Sequence, residues 1–137
     1  MTEHHHPRKR FGQHFLHDRH IIEKIVQAIH PQQDEHLVEI GPGLGALTHA
    51  LLPLVSTLDA IEIDRDIIPK LQASSAEIGH LVIHEQDALT FSLVTLGKDQ
   101  PFRIVGNLPY NISTPLIFHL LEEVQCIRDM HFMLQRE

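Results

Sequence analysis

Asn107, Leu108, Pro109 and Tyr110 stand in a row behind the apolar run Phe102–Val105, and together they could hold an amine against an electrophile. The run lies between Pro101 and Gly106 and reads as a buried parallel strand. The carboxyl end of such a strand is where open α/β sheets place their ligands. The Asn107 side-chain amide and the Leu108 backbone carbonyl offer acceptors to an amino group, and Pro109 stiffens the turn and has no N–H of its own. Tyr110 presents an aromatic face on which a nucleobase can stack, worth about 1–3 kcal/mol per base. An ordinary strand-to-helix turn uses the same residue types. What else converges on the same place therefore decides the reading.

Three further stretches do. Gly41-Pro42-Gly43-Leu44-Gly45 is a tight turn that lets backbone approach a ligand closely. Gly41, Gly43 and Ala46 satisfy the dinucleotide pattern with alanine at its third position, although a glycine turn kept only for packing would look alike. Glu62 follows at about the 20-residue spacing at which an acid accepts the hydroxyls of a ribose. Asp64 competes for that role, but its place suits the start of the next helix, whereas the end of a strand aims Glu62 at the turn. Gln86-Asp87-Ala88 ends the third strand, and a carboxylate there can accept an N–H from an adenine amine. Each acid alone could be a solvated strand-end or turn residue. All four features fall at the carboxyl ends of consecutive strands, which chance coincidence explains poorly.

The elements that must position them follow from periodicity. Asp18 is placed to cap a helix over residues 19–29, with Ile22, Ile25, Val26 and Ile29 as its core stripe and Pro31 closing it. Residues 37–40 form the first strand, and a helix with Leu47, Leu51 and Leu52 ends near Pro53. Residues 58–63 form the second strand, and a helix over 66–74 holds Pro69 in its first turn. Residues 81–83 and 102–105 form the third and fourth strands. Ser113 is placed to cap a helix with Pro115 in its first turn and Leu116, Ile117, Leu120 and Leu121 on its buried side. Residues 130–134 begin a fifth strand. Strands separated by helical segments predict a parallel, doubly wound α/β sheet, with no internal repeat.

Composition narrows the function classes. At 137 residues and 42% apolar content the chain is one domain or part of one, and its formal charge of −7 argues against gripping a polyanion unaided. The balance is local, since Arg8, Lys9, Arg10 and Arg19 outnumber Glu3 and Asp18 in the first twenty residues. Residues 1–18 read as a mobile basic arm, and His4-His5-His6 as a solvated tail, so no metal site is predicted. Cys126 is the single cysteine, which excludes an internal disulfide and fits a reducing compartment. No apolar stretch reaches the ~20 residues of a membrane span, so the expectation is a cytoplasmic protein, monomeric and off the membrane. The chain stops inside an apolar run at residues 130–134, which predicts a fragment.

With these residues in view, the sequence resembles the ribosomal RNA adenine dimethyltransferases of the KsgA (RsmA) type. The likeness is carried by Lys9-Arg10-Phe11-Gly12-Gln13-His14-Phe15-Leu16, Val38-Glu39-Ile40-Gly41-Pro42-Gly43, Glu62, Gln86-Asp87-Ala88 and the run from Gly106 to Pro115. It implies a Rossmann-like class I methyltransferase fold, truncated after about five strands and lacking the family's helical C-terminal domain. It implies S-adenosylmethionine held by His14, Leu16, Gly41, Glu62, Asp87 and Asn107, with Asn107 to Tyr110 as the catalytic stretch. The implied reaction is dimethylation of N6 on two adjacent adenosines near the 3′ end of small-subunit rRNA, in a pre-ribosomal particle. His14 departs from the family's usual asparagine, and an imidazole there would make a weaker or pH-sensitive contact.

Other readings share parts of this evidence. The macrolide-resistance 23S rRNA methyltransferases share much of the pattern but typically carry isoleucine where this chain has Leu108. An NAD-dependent dehydrogenase would explain the glycine turn and Glu62 but leave Asn107 to Tyr110 without a purpose. A non-catalytic RNA-binding assembly factor would have no use for Asn107 and Asp87.

Overall fold

A computed structural model describes residues 18–135 of the chain. Its elements run α1 (Arg19–Ile29), β1 (His36–Ile40), α2 (Ala46–Leu51), β2 (Leu58–Glu62), α3 (Ile67–Ser75), β3 (Leu81–Glu85), β4 (Phe102–Pro109), α4 (Tyr110–Leu121) and β5 (Ile127–Gln135). The five strands form one sheet in the order β3-β2-β1-β4-β5, and every neighbouring pair is parallel. The predicted doubly wound sheet is therefore observed. Its order reverses between β1 and β4, which opens a crevice outside their carboxyl ends.

Alternation along the strands divides the core in two. Val38, Ile40, Ile61, Ile104 and Leu108 face α4 and pack with Leu116 and Leu120. Leu37, Leu58 and Val105 face the other way, against Ile29 of α1 and Leu47 and Leu51 of α2. Side chains two or four residues along from these, Glu39, Glu62 and Asn107, continue that second face to the carboxyl end. The apolar stripe, the Asp18 cap and Pro31 together predicted the bounds of α1. Asp18 accepts a hydrogen bond from the His20 amide at 2.9 Å, and His30 closes the helix in the left-handed region.

Several expectations are corrected. The fourth strand does not stop at Val105 but runs to Pro109, so Asn107, Leu108 and Pro109 are strand residues rather than a turn. They pair with Met133, Leu134 and Gln135 of β5, whereas β1 ends opposite Gly106. The stretch is thus held on one side and opens on the crevice on the other. Pro109 is tolerated because it is the last strand residue. The helix that follows begins at Tyr110, four residues before the start at Thr114 that a cap at Ser113 predicts. Ser113 lies inside it and donates to the Tyr110 carbonyl at 2.8 Å, and Pro115 sits in the helix interior. Leu121, expected on the buried side, is 45% exposed, because the face the helix buries runs through Ser113, Leu116 and Leu120. Between β3 and β4 there is only a short 3-10 turn, Leu93–Leu96, in place of an α-helix. The fifth strand starts at Ile127 rather than Met130, and the third reaches Glu85.

Candidate active site

The glycine turn after β1 and the carboxyl end of β4 meet across the crevice. A Cβ on Gly41 would stand 4.0 Å from Leu108 Cδ2, which puts the turn in contact with the Asn107-Leu108-Pro109-Tyr110 stretch. Two other glycines are required by close packing nearby. Gly106 lies against β1 so closely that a Cβ would come within 2.9 Å of the Ile40 carbonyl oxygen. Gly45, at φ 97°, has no room for a side chain between Leu71 and His49.

Glu62 is aimed at the turn, as its strand-end position suggested. Its two carboxylate oxygens accept from the Gly43 amide at 3.1 Å and the Asp64 amide at 3.0 Å, and the residue is 8% exposed. A carboxylate oxygen has lone pairs for two donors, so both remain able to receive a ribose hydroxyl. Asp64 does what the start of a helix asks, accepting from the Asp66 amide at 2.9 Å. Asp87 is exposed beyond β3, where it accepts from the Leu89 amide at 2.9 Å in a local turn. The strand next to it is tied in by Gln86, whose amide donates to the Glu62 carbonyl.

Asn107 is buried, on the same sheet face as Glu62. Leu108 is buried against the α4 side, Pro109 is half-buried, and Tyr110 is 60% exposed with its ring available to a stacking partner. His14 and Leu16, and with them His4-His5-His6 and the basic arm, lie outside the described residues. Among the described residues there is no cluster of acids, histidines and cysteine able to hold a metal, and no helix long and apolar enough to cross a membrane.

Motif spacing passed over Glu39. It is 2% exposed on β1, opposite Ala60 of β2 and Val105 of β4, on the face that Glu62 and Asn107 continue two residues further on, and Thr48 of α2 donates to it at 2.6 Å. Burial raises its carboxyl pKa to about 7; the Thr48 hydroxyl works against the rise and the Glu62 charge adds to it. The signal available in the sequence was an acid inside the apolar strand Leu37-Val38-Glu39-Ile40.

Comparison with known proteins agrees with this geometry. A family model described as "Ribosomal RNA adenine dimethylase" matches residues 4–137. The chain belongs to the ribosomal RNA adenine dimethylase family. It is 56% identical over 130 residues, 95% of its length, to a Coxiella burnetii protein named "Ribosomal RNA small subunit methyltransferase A", of which the match covers 50%. A Pseudomonas syringae protein of the same name is 55% identical over the whole chain, with 52% of that relative covered. The chain thus spans about half the length of the curated relatives it matches. Among solved structures, a dimethyladenosine transferase from Plasmodium falciparum superposes with a TM-score of 0.74 at 30% identity, covering 87% of this chain and 42% of that one. The 23S rRNA methyltransferase ErmE superposes at 0.69 and 29% identity, covering 79% and 43%. The fold of this dimethylase-family chain is accordingly the Rossmann-like class I methyltransferase fold.

Proposed function

We propose that the chain supplies the cofactor-binding and base-positioning part of an S-adenosylmethionine-dependent enzyme that dimethylates adenine N6 in small-subunit rRNA. The observation that carries this reading is the end of β4: Asn107 and Leu108 stand in a strand open toward the crevice, in contact with the glycine turn. Gly41, Glu62, Asp87 and Asn107, with His14 and Leu16 from the amino-terminal arm, would hold the cofactor. When bound, S-adenosylmethionine supplies a methyl group on a positively charged sulfur, an electrophile no side chain offers.

The work left to the protein is positioning. The lone pair of an adenine N6 is delocalised into the ring and makes a poor nucleophile. Acceptors at Asn107 and the Leu108 carbonyl would take its N–H groups, favour a more tetrahedral nitrogen and aim the lone pair along the transfer axis. Alignment of bound reactants can lower a barrier by roughly 7–11 kcal/mol, so no strong general base is needed. The base must leave its stack, at a cost of a few kcal/mol that stacking on exposed Tyr110 partly offsets. The first product keeps one N–H, which permits a second transfer. The substrate read here is two adjacent adenosines near the 3′ end of small-subunit rRNA within a pre-ribosomal particle, met by a monomer.

Labelled-methyl transfer to unmethylated small subunits tests the assignment. Dimethyladenosine in small-subunit rRNA is expected, and Asn107→Ala should cut transfer at least about a hundredfold, the scale of losing one aligned hydrogen-bonding group, while S-adenosylmethionine still binds. Undiminished turnover by that variant overturns the role of Asn107. Label appearing only in large-subunit rRNA would move the enzyme to the 23S class.

A further inference from the structure

The connection between β3 and β4 carries Asp87, the acid assigned to the adenine amine, and it is tied down on both sides of that residue. On the β3 side the Gln86 amide donates to the Glu62 carbonyl at 3.1 Å. Thr90 then closes a turn on Asp87, its amide donating to the Asp87 carbonyl at 3.0 Å. On the far side the chain is held by the end of α4. His119 Nε2 lies 2.7 Å from the Phe91 carbonyl oxygen, which can only accept, so the ring donates. Glu123, just past the helix, accepts from the Ser92 hydroxyl and, at 2.7 Å, from the Leu93 amide. That amide opens the 3-10 turn Leu93–Leu96, for which Ser92 supplies no side-chain cap. A carboxylate from another element satisfies it instead.

These bonds add something that packing does not. Phe91 and Leu93 are already buried in the core on the α4 side, 6% and 1% exposed. Apolar burial is non-directional, so it holds the segment down without fixing where its backbone points. The bonds to His119 and Glu123 fix that direction. Between the two anchors Asp87 is exposed, with Oδ1 taken by the Leu89 amide and Oδ2 remaining to accept from a ligand N–H. Resting on the cofactor assignment above, we propose that Glu123, assisted by His119, is a positioning residue for the adenine subsite. Through Ser92 and Leu93 it sets where Asp87 stands, and so how well the site tells adenine from a purine without the 6-amino group. No motif near Asp87 points to Glu123, which lies 31 residues beyond Ser92. A consequence concerns alignment. Helix α4 begins at Tyr110, on which the target base stacks, and ends beside the anchor of Asp87. The adenine of the donor and the adenine of the acceptor are thereby both referenced to one rigid element, as transfer between two bound reactants requires.

Calorimetric titration of the chain with S-adenosylhomocysteine, and with its analogue carrying hydrogen in place of the 6-amino group, reads the subsite without turnover. The adenine compound should be preferred about tenfold, the scale of one hydrogen bond to a charged acceptor, and Asp87→Ala should erase that preference. Glu123→Ala should reduce it below about threefold while affinity for the analogue changes less than about twofold. Glu123→Gln, which keeps an acceptor for the Leu93 amide, should restore most of it. In the double variant the losses should not add: affinity for the adenine compound should equal that of Asp87→Ala alone, because Glu123 acts through Asp87. Where Glu123→Ala folds poorly, Ser92→Ala removes one of the two bonds and should lower the preference by about twofold to threefold. Equal weakening of both ligands in these variants, or a preference that none of them changes, makes the anchor merely structural and overturns the proposal. Absence of a wild-type preference, or one that survives Asp87→Ala, removes Asp87 from the adenine and the proposal with it. Binding of neither ligand removes the cofactor assignment itself.

Discussion

The two ends of the sheet treat buried charge in opposite ways. At the amino end Arg103, 6% exposed, donates to Glu35 at 2.6 Å, to Asp129 at 3.0 Å and to the carbonyls of Ile29 and His30, and Arg128 adds a second bond to Glu35. Burial works against ionising Glu35, yet the Gln32 amide and Arg103 outweigh it and hold its carboxyl below the ordinary range. Asp129 is likewise penalised by burial and pulled below its ordinary range by Arg103 and then His131. At the carboxyl end the acids Glu39 and Glu62 are met, among the described residues, only by a hydroxyl and backbone amides. The first arrangement is neutralised from within and serves to tie α1, β1, β4 and β5 together. The second leaves two buried acids with no cation among the described residues, which costs stability.

Beyond the loss of transfer expected of Asn107→Ala, the largest effect should come from breaking the neutralised end. Arg103→Ala strands two acids and should cost about 3–5 kcal/mol in denaturant unfolding; a loss under 1 kcal/mol would mean the network is not structural. The unmatched end should respond with the opposite sign. Glu39 is protonated more readily folded than unfolded, where its pKa is the ordinary 4.5. Its contribution is therefore complete below that value and is lost as pH rises through about 7. Glu39→Gln should accordingly raise stability by about 3 kcal/mol at alkaline pH and change it little in acid, read as unfolding free energy against pH. Next comes Tyr110→Ala, which should weaken engagement of a single-stranded adenine RNA by about 1–3 kcal/mol and leave S-adenosylmethionine affinity unchanged. Equal losses in both binding constants would place the ring against the cofactor instead. The smallest effect belongs to the exposed pair Arg65–Glu85, 3.1 Å apart with side chains 81% and 53% exposed. Arg65→Ala should shift the unfolding midpoint by no more than about 0.5 kcal/mol's worth, and less at high salt.

How far the chain could be read in one dimension depended on whether a signal was local. The bounds of α1 were legible because Asp18 and Pro31 punctuate an amphipathic stripe. The glycine turn and Glu62 were legible because strand, turn and acid recur at a spacing with a mechanical reason. The end of β4 misled, since Gly106, Asn107 and Pro109 are turn formers in most settings. Here β5 pairs with all three, and Gly106 is glycine because β1 leaves no space for more. The start of α4 misled for the same reason: Ser113 and Pro115 look like a cap and a first turn, but the helix grows straight out of the strand.

Residue order by itself determined the succession of strands and helices, the turn at Gly41, the candidate stretch at Asn107 and membership of the dimethylase family, because each rests on neighbours within a few positions. Only the tertiary structure decided which charges are matched. Arg103 meets Glu35, and Glu39 feels the charge of Glu62 with no cation beside it among the described residues, because the sheet brings together residues far apart in the chain. Which face a strand side chain takes, and what waits there, is settled by packing, and on that depends whether a buried acid is part of the scaffold or part of the site.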